Sequence, residues 1–378
     1  MEEQGNMNIK DLKNDEKAVF SLRSLYKSYG YMRYKMKKFE EYDLYAGNKD
    51  FLVSDNVITF TDRDGKLMAL KPDVTLSIIK NCKDEPHYLK KVYYNENVYR
   101  VSKGTNSFKE LMQIGLECMG NVDEYTVFEV LMLAAKSLET ISPDYVLDIS
   151  HLGIISDIIT YLDISSSAEK KILRLLGEKN YHEISELLLA EGVSAEKTAL
   201  LKALTTTYGE PSDVLPKLKS LMPHGKLSKS AVQLTNIVNL LDKNGFGDKI
   251  RIDFSVINNM NYYNGIVFNG FINGISESVL SGGQYDNLMK KMRKKSRAIG
   301  FAVYLDSLER LGGESGYDVD VFVLYNKKTE SEKIINAVSE LTQAGLNVTA
   351  GVAVPSKIKY KKLCEITEKG VVTVENNA

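Results

Sequence analysis

The spacing of apolar positions changes character along the chain, and each change predicts a different kind of element. Val19, Leu22, Tyr26 and Tyr29 recur at three- and four-residue intervals, which predicts a helix over about residues 15–29 with Gly30 as its stop. A strand over 32–36 follows. Residues 57–70 read as a β-hairpin, because Asp64-Gly65 supplies the turn between two β-prone runs. After Pro72 a short helix carries Leu76 and Ile79 inward, and two strands, 90–95 and 97–102, lead into a polar loop.

The clearest strand pattern spans 108–119. Met112, Ile114, Leu116 and Cys118 alternate with Leu111, Gln113, Gly115 and Glu117. One face is continuously apolar. The other sets an amide, a bare glycine and a carboxylate in a row, an odd surface unless something polar lies over it. A helix over 122–139 and a strand over 145–150 complete this part, a succession that predicts an α+β sheet, mostly antiparallel, rather than a doubly wound one.

From about residue 153 to 248 the pattern is helix after helix. Ser166 and Glu169 have capping-box spacing, and residues 228–243 carry Leu234, Val238 and Leu241 on one stripe. This block reads as a helical insertion between two halves of one sheet domain covering 1–313. The sheet resumes at 249–257, 266–272 and 278–280, and a helix over 304–311 closes it. Residues 314–378 read β-α-β-α-β, with 359–370 as the second helix, and form a short α/β module too small for a large core of its own.

Composition narrows the chemistry. The chain has 378 residues, 43% hydrophobic and 26% charged, with net charge −1, so no overall field draws nucleic acid and a tRNA partner is not expected. Cys82, Cys118 and Cys364 form no CxxC pair, and the four histidines have no metal-ligand spacing, so neither a disulfide framework nor a metal is expected. No apolar run approaches the length of a membrane span and the polar N-terminal stretch is no signal peptide, which makes the cytoplasm the expected location. Phosphate-binding glycine loops, dinucleotide fingerprints and nucleophile elbows are absent, and no cofactor is expected.

Four segments, in order, carry a resemblance. "ALKPDVT" at 69–75, "YRVSKGTNSFKELMQIGLE" at 99–117, "NMNYYNGIVF" at 259–268 and "SGGQYDNL" at 281–288 resemble the amino-acid pocket of histidyl-tRNA synthetases, a class II family. The resemblance covers about residues 17–311. It implies a class II synthetase-like antiparallel core and a histidine pocket formed by Asp73, Thr75, Gln113, Glu117, Tyr262, Tyr263, Gly283 and Tyr285. Asp73 and Thr75 are implied to hold the α-amino group. Some of these residues have a plainer reading as well: Gln113 and Glu117 as solvated sheet positions, Tyr262-Tyr263 as packing residues and Gly282-Gly283 as a turn, while the basic run at 290–295 reads as a solvated helix end.

The departures fall on the charged positions. Of the family's arginines, Arg100 keeps the motif 2 position, as a vestigial phosphate-binding residue or an ordinary structural ion-pair partner. Asn258 stands at the second arginine, Asn261 at an acidic residue, Gln284 at the pocket arginine and Ser102 at the motif 2 glutamate. Lys37 takes the proline position of motif 1. The motif 3 Glu-Arg pair falls on Asp306 and Ser307, and Glu309-Arg310 restores it only with a three-residue shift. Activation of an amino acid by ATP needs those cations, and losing one costs on the order of 100-fold or more in rate. The pattern is similar to a synthetase-derived family, the regulatory subunits of ATP phosphoribosyltransferase. That resemblance implies no catalysis of its own, a short-form catalytic subunit as partner, histidine as feedback effector, and a core homodimer within a hetero-oligomer. It also implies that the C-terminal module is a truncated anticodon-binding-like domain. The competing expectation is a divergent histidyl-tRNA synthetase.

Overall fold

The computed structural model describes residues 13–48, 52, 57–101, 107–178, 180–256, 262–311, 317–367 and 370–377, with only the backbone at 309–311. Two compact units divide at Leu311–Gly312. In the first, the strands are β1 (Met32–Arg33), β2 (Phe39–Glu41), β3 (Thr59–Thr61), β4 (Leu67–Leu70), β5 (Lys90–Val101), β6 (Phe108–Gly120), β7 (Tyr145–His151), β8 (Tyr208–Gly209), β9 (Ile250–Asp253), β10 (Ile266–Ile272), β11 (Leu280–Gln284) and β12 (Arg297–Tyr304). One large sheet runs in the order β1-β5-β6-β12-β11-β10-β7-β9-β8, and β2-β4-β3 form a small one. Every pairing from β5 to β7 along the large sheet is antiparallel, with parallel pairs only at β1–β5 and β7–β9. This is the α+β arrangement read from the sequence.

Alternation along β6 decides which face does what. Ile114, Leu116 and Cys118 point into the main core, under the helices Asn14–Ser28 and Glu124–Ile141, where Leu22, Tyr26, Val130, Leu133 and Ala134 are buried. The longer helix starts where Asp123 accepts the amide of Thr126, and its Ser137 bonds the Tyr26 hydroxyl at 3.0 Å. Gln113, Gly115 and Glu117 therefore face the opposite side. The helices Leu152–Leu162, Ser166–Gly177, Tyr181–Ala190, Ala195–Thr205, Pro211–Leu218 and Lys229–Leu241 lie between β7 and β9 in the chain.

Several expectations are corrected. The two strands expected at 90–102 are one twelve-residue strand, β5. The polar step Asn95-Glu96-Asn97 stays in it because Glu96 is neutralised by Lys71, Nζ to Oε2 2.9 Å. The helix at 166 is capped by Ser165, whose hydroxyl accepts the Ala168 amide; the neighbouring serine shares the chemistry and shifts the motif by one. Gly282-Gly283 lies inside β11 rather than in a turn. Residues 305–311 form a 3-10 helix after β12 runs on to Tyr304.

In the second unit, β13 (Val319–Leu324), β14 (Val348–Gly351), β15 (Tyr360–Thr367) and β16 (Gly370–Asn376) are ordered β14-β13-β15-β16, with a helix at Ser331–Gln343. The helix expected at 359–370 is therefore the strand β15. Cys364 and Ile366 pack with Val321 and Val323, while Glu365 and Thr367 are exposed, which is a period of two.

Candidate functional site

The polar row on β6 opens onto a cavity of about 400 Å³. Its floor comes from strand register. Glu117 lies opposite Gly300 on β12, Gly115 opposite Ala302 on one side and Tyr94 on the other, and Gln113 opposite Tyr304. A Cβ on Gly300 would run into the Glu117 carboxylate and lie 2.5 Å from the Leu116 carbonyl oxygen. A Cβ on Gly115 would lie 2.6 Å from the Tyr94 hydroxyl. Both glycines are bare because a carboxylate and a phenol occupy the space above them.

The walls come from two turns. Asp73 has extended backbone and caps the helix Val74–Asn81, accepting the Leu76 amide at 2.8 Å. This brings Thr75 over β6, where its hydroxyl donates to Glu117 Oε1 at 2.7 Å. Tyr285, just past β11, donates to Glu117 Oε2 at 2.6 Å. Tyr262 packs edge-on against Tyr263, ring centroids 4.7 Å apart, and leans on Tyr285 at 5.8 Å. Burial pushes Glu117 up to about 8, against the pull of its two hydroxyl bonds and with a further push from Asp73. Asp73 is raised too, by burial, with the Leu76 amide and Arg100 opposing. Burial also raises the hydroxyls of Tyr94, Tyr262, Tyr263 and Tyr285, so they stand as neutral donors.

Asp73, Thr75, Arg100, Gln113, Glu117, Tyr262, Tyr263 and Tyr285, scattered over more than 200 positions, all line this one cavity. Gly283 backs it instead, since a side chain there would meet the Tyr263 ring at 2.8 Å. The sequence reading missed Tyr94, Ser281, Tyr304 and Gly300, which also line it. Tyr94 had a signal, being apolar in a strand that pairs with the polar row, but its partner Gly115 emerges only from the register.

Cations are scarce here. Among the described lining residues Arg100 is the single one, and its Nε donates to the Pro72 carbonyl at 3.2 Å. Gln284 does not replace an arginine function: it is buried, and its Oε1 accepts the Ile266 amide at 2.8 Å. Next to the cavity lies a second hollow of about 520 Å³, sharing Arg100, Ser278 and Tyr304 and lined also by Lys109, Glu277, Asp306 and Ser307. Asp306 accepts the Met112 amide at 3.1 Å. Ser102, Asn258 and Asn261 lie outside the described residues, as do the side chains of Glu309 and Arg310. Among the described residues no group of three His, Cys, Asp or Glu could hold a metal, and no helix is long and apolar enough to cross a membrane. The three cysteines are free and buried.

Comparison with known proteins places this geometry. Residues 6–308 match the family model for histidyl-tRNA synthetase. An ATP phosphoribosyltransferase regulatory subunit from Caldanaerobacter subterraneus subsp. tengcongensis is 31% identical over 295 residues, 76% of this chain and 75% of the relative. Among solved structures, an ATP phosphoribosyltransferase regulatory subunit/histidyl-tRNA synthetase from Bacillus halodurans superposes with TM-score 0.71 at 20% identity, covering 93% of each chain. A chain of an ATP phosphoribosyl transferase complex from Thermotoga maritima matches with TM-score 0.61 at 21% identity, covering 78% of this chain and 98% of that one. The antiparallel sheet with its pocket on the polar face is thus the class II synthetase fold of the histidyl type. The chain belongs to the histidyl-tRNA synthetase family and, within it, to the ATP phosphoribosyltransferase regulatory subunits, which are not themselves catalytic.

Proposed function

We propose that the chain assembles with a short-form catalytic subunit of ATP phosphoribosyltransferase, supports the first step of histidine biosynthesis, and conveys feedback by binding histidine in the cavity on β6. Asp73 and Glu117 neutralise the ammonium, Gln113 orients it, and Tyr262, Tyr263 and Tyr285 flank the imidazole. One observation carries this reading. Glu117 holds its two hydroxyl partners beside Asp73 in one cavity, while Gln284 is tied to the Ile266 amide and Asp306 to the Met112 amide. A site built this way keeps the ammonium half of an amino-acid pocket without the phosphate half. Feedback then follows by linkage: histidine binds one conformation of the complex more tightly, and a coupling of about 1–3 kcal/mol is enough. The chain works as a core homodimer in the cytoplasm, its functional domains being residues 1–313 and a truncated anticodon-binding-like module at 314–378.

The test is co-purification with a short-form ATP phosphoribosyltransferase, assaying activity with and without histidine. A complex that is active and inhibited by histidine is expected; a mixture that neither assembles nor gains activity ends the proposal. Histidine-dependent pyrophosphate exchange by the chain alone would instead mark a divergent synthetase.

A further inference from the structure

The carboxyl group of Glu117 is held in an unusual way for a group expected to meet an ammonium ion. Both its oxygens are already occupied, Oε1 by the Thr75 hydroxyl at 2.7 Å and Oε2 by the Tyr285 hydroxyl at 2.6 Å. Gly300 leaves the space in which it lies, and the residue is 2% exposed. The groups facing it are Thr75 and Asp73 from the capped helix, Tyr94 from β5, Tyr262 and Tyr263 from the turn before β10, and Tyr285 after β11. Every one is neutral or acidic. The nearest cation on the cavity wall, Arg100, acts on Asp73. Lys71 also acts on Asp73, and burial disfavours a second negative charge beside it on Glu117.

We propose that the empty cavity holds Glu117 as the neutral acid and that a cationic ligand enters in exchange for that proton, so Glu117 selects ligands by positive charge. The acid proton, carried on one carboxyl oxygen, leaves to solvent, and the carboxylate formed pairs with the ligand's ammonium while the Thr75 and Tyr285 hydroxyls donate to its two oxygens. A neutral ligand of the same shape gains no ion pair and releases no proton. With burial holding the group near 8, binding at pH 7.5 releases about three-quarters of a proton per site, and affinity weakens toward tenfold per unit as pH falls below 7. The inference rests on histidine as the occupant of this cavity.

The experiment is titration of the full-length protein with L-histidine by calorimetry at pH 7.5 in phosphate and in Tris, whose ionisation enthalpies differ. Difference infrared spectra of the empty and loaded protein accompany it, with the Glu117→Gln variant to assign the carboxyl band. The expected result is a buffer-dependent heat equal to roughly three-quarters of a proton released, and a protonated-carboxyl band that disappears on loading. Histidine binding with equal heats in both buffers, or no such band in the empty protein at pH 6.5, overturns the exchange and leaves the histidine reading standing. No binding at millimolar histidine overturns the histidine reading, and the exchange with it. The proton count is taken on the unaltered protein, so it does not depend on how well the variant folds.

Discussion

The hydroxyl of Tyr285 lies 2.6 Å from Glu117 Oε2, a bond between residues 168 positions apart that ties the end of β11 to the centre of β6. Both partners are buried, so neither has water to fall back on. Tyr285→Phe keeps the ring and its contact with Tyr262 but removes the donor. Unfolding in denaturant is expected to show a loss of about 1–2 kcal/mol. The infrared titration of Glu117 should also move upward, because the lost bond favours the charged form. A variant as stable as the parent, with an unmoved titration, would show the bond to be absent in solution.

Stability should depend on pH through Glu117 in a definite direction. Its folded value of about 8 lies above the ordinary 4.5, so the folded state keeps a proton that the unfolded chain gives up. The contribution is complete below about pH 4.5 and is lost as pH rises through 8, up to a total on the order of 5 kcal/mol. The Glu117→Gln variant cannot titrate there. Denaturation free energies compared at pH 5.5 and 8.5 are expected to fall more for the parent than for the variant; equal falls contradict the assignment.

Gly300→Ala tests the space over β6. The new methyl must displace the Glu117 carboxylate and press on the Leu116 carbonyl, which is backbone and cannot swing away. Overpacking of this kind costs about 1–3 kcal/mol. Histidine binding measured by calorimetry is expected to be lost as well, whereas Gly65→Ala, in the exposed turn between β3 and β4 with φ +79°, should lower stability alone.

Sequence reaches only part of the way into this site. The period-two run in β6 puts Gln113, Gly115 and Glu117 on one face without any other information. Asp73, Tyr262 and Tyr285 are far away in the chain, and only the family-like motifs brought them into the same pocket. Gly300 and Tyr94 were not legible because their roles are set by which residue they face across a strand, Glu117 for one and Gly115 for the other. At 359–370 the failure was one of period. Leu363 and Ile366 are three apart, as on a helix, but the neighbouring β13 supplies a parallel edge and Cys364 and Ile366 take the core side. Tertiary pairing overrode a local pattern that fits both states.

ATP and histidine are expected to act differently on the folded chain. The hollow beside the cavity sets Glu277 and Asp306 against Arg100 and Lys109, so it offers phosphates no net positive charge. Asp306 is also committed to the Met112 amide, one residue before Gln113 on β6. In the proposed function histidine uses none of these groups, only Asp73, Gln113, Glu117 and the tyrosines. In thermal unfolding, histidine at about a hundred times its dissociation constant should stabilise the folded chain by about 2.7 kcal/mol. Millimolar ATP with magnesium should leave the midpoint unchanged, both alone and on top of histidine. If ATP raises the midpoint and histidine raises it further, the phosphate half of the site is intact.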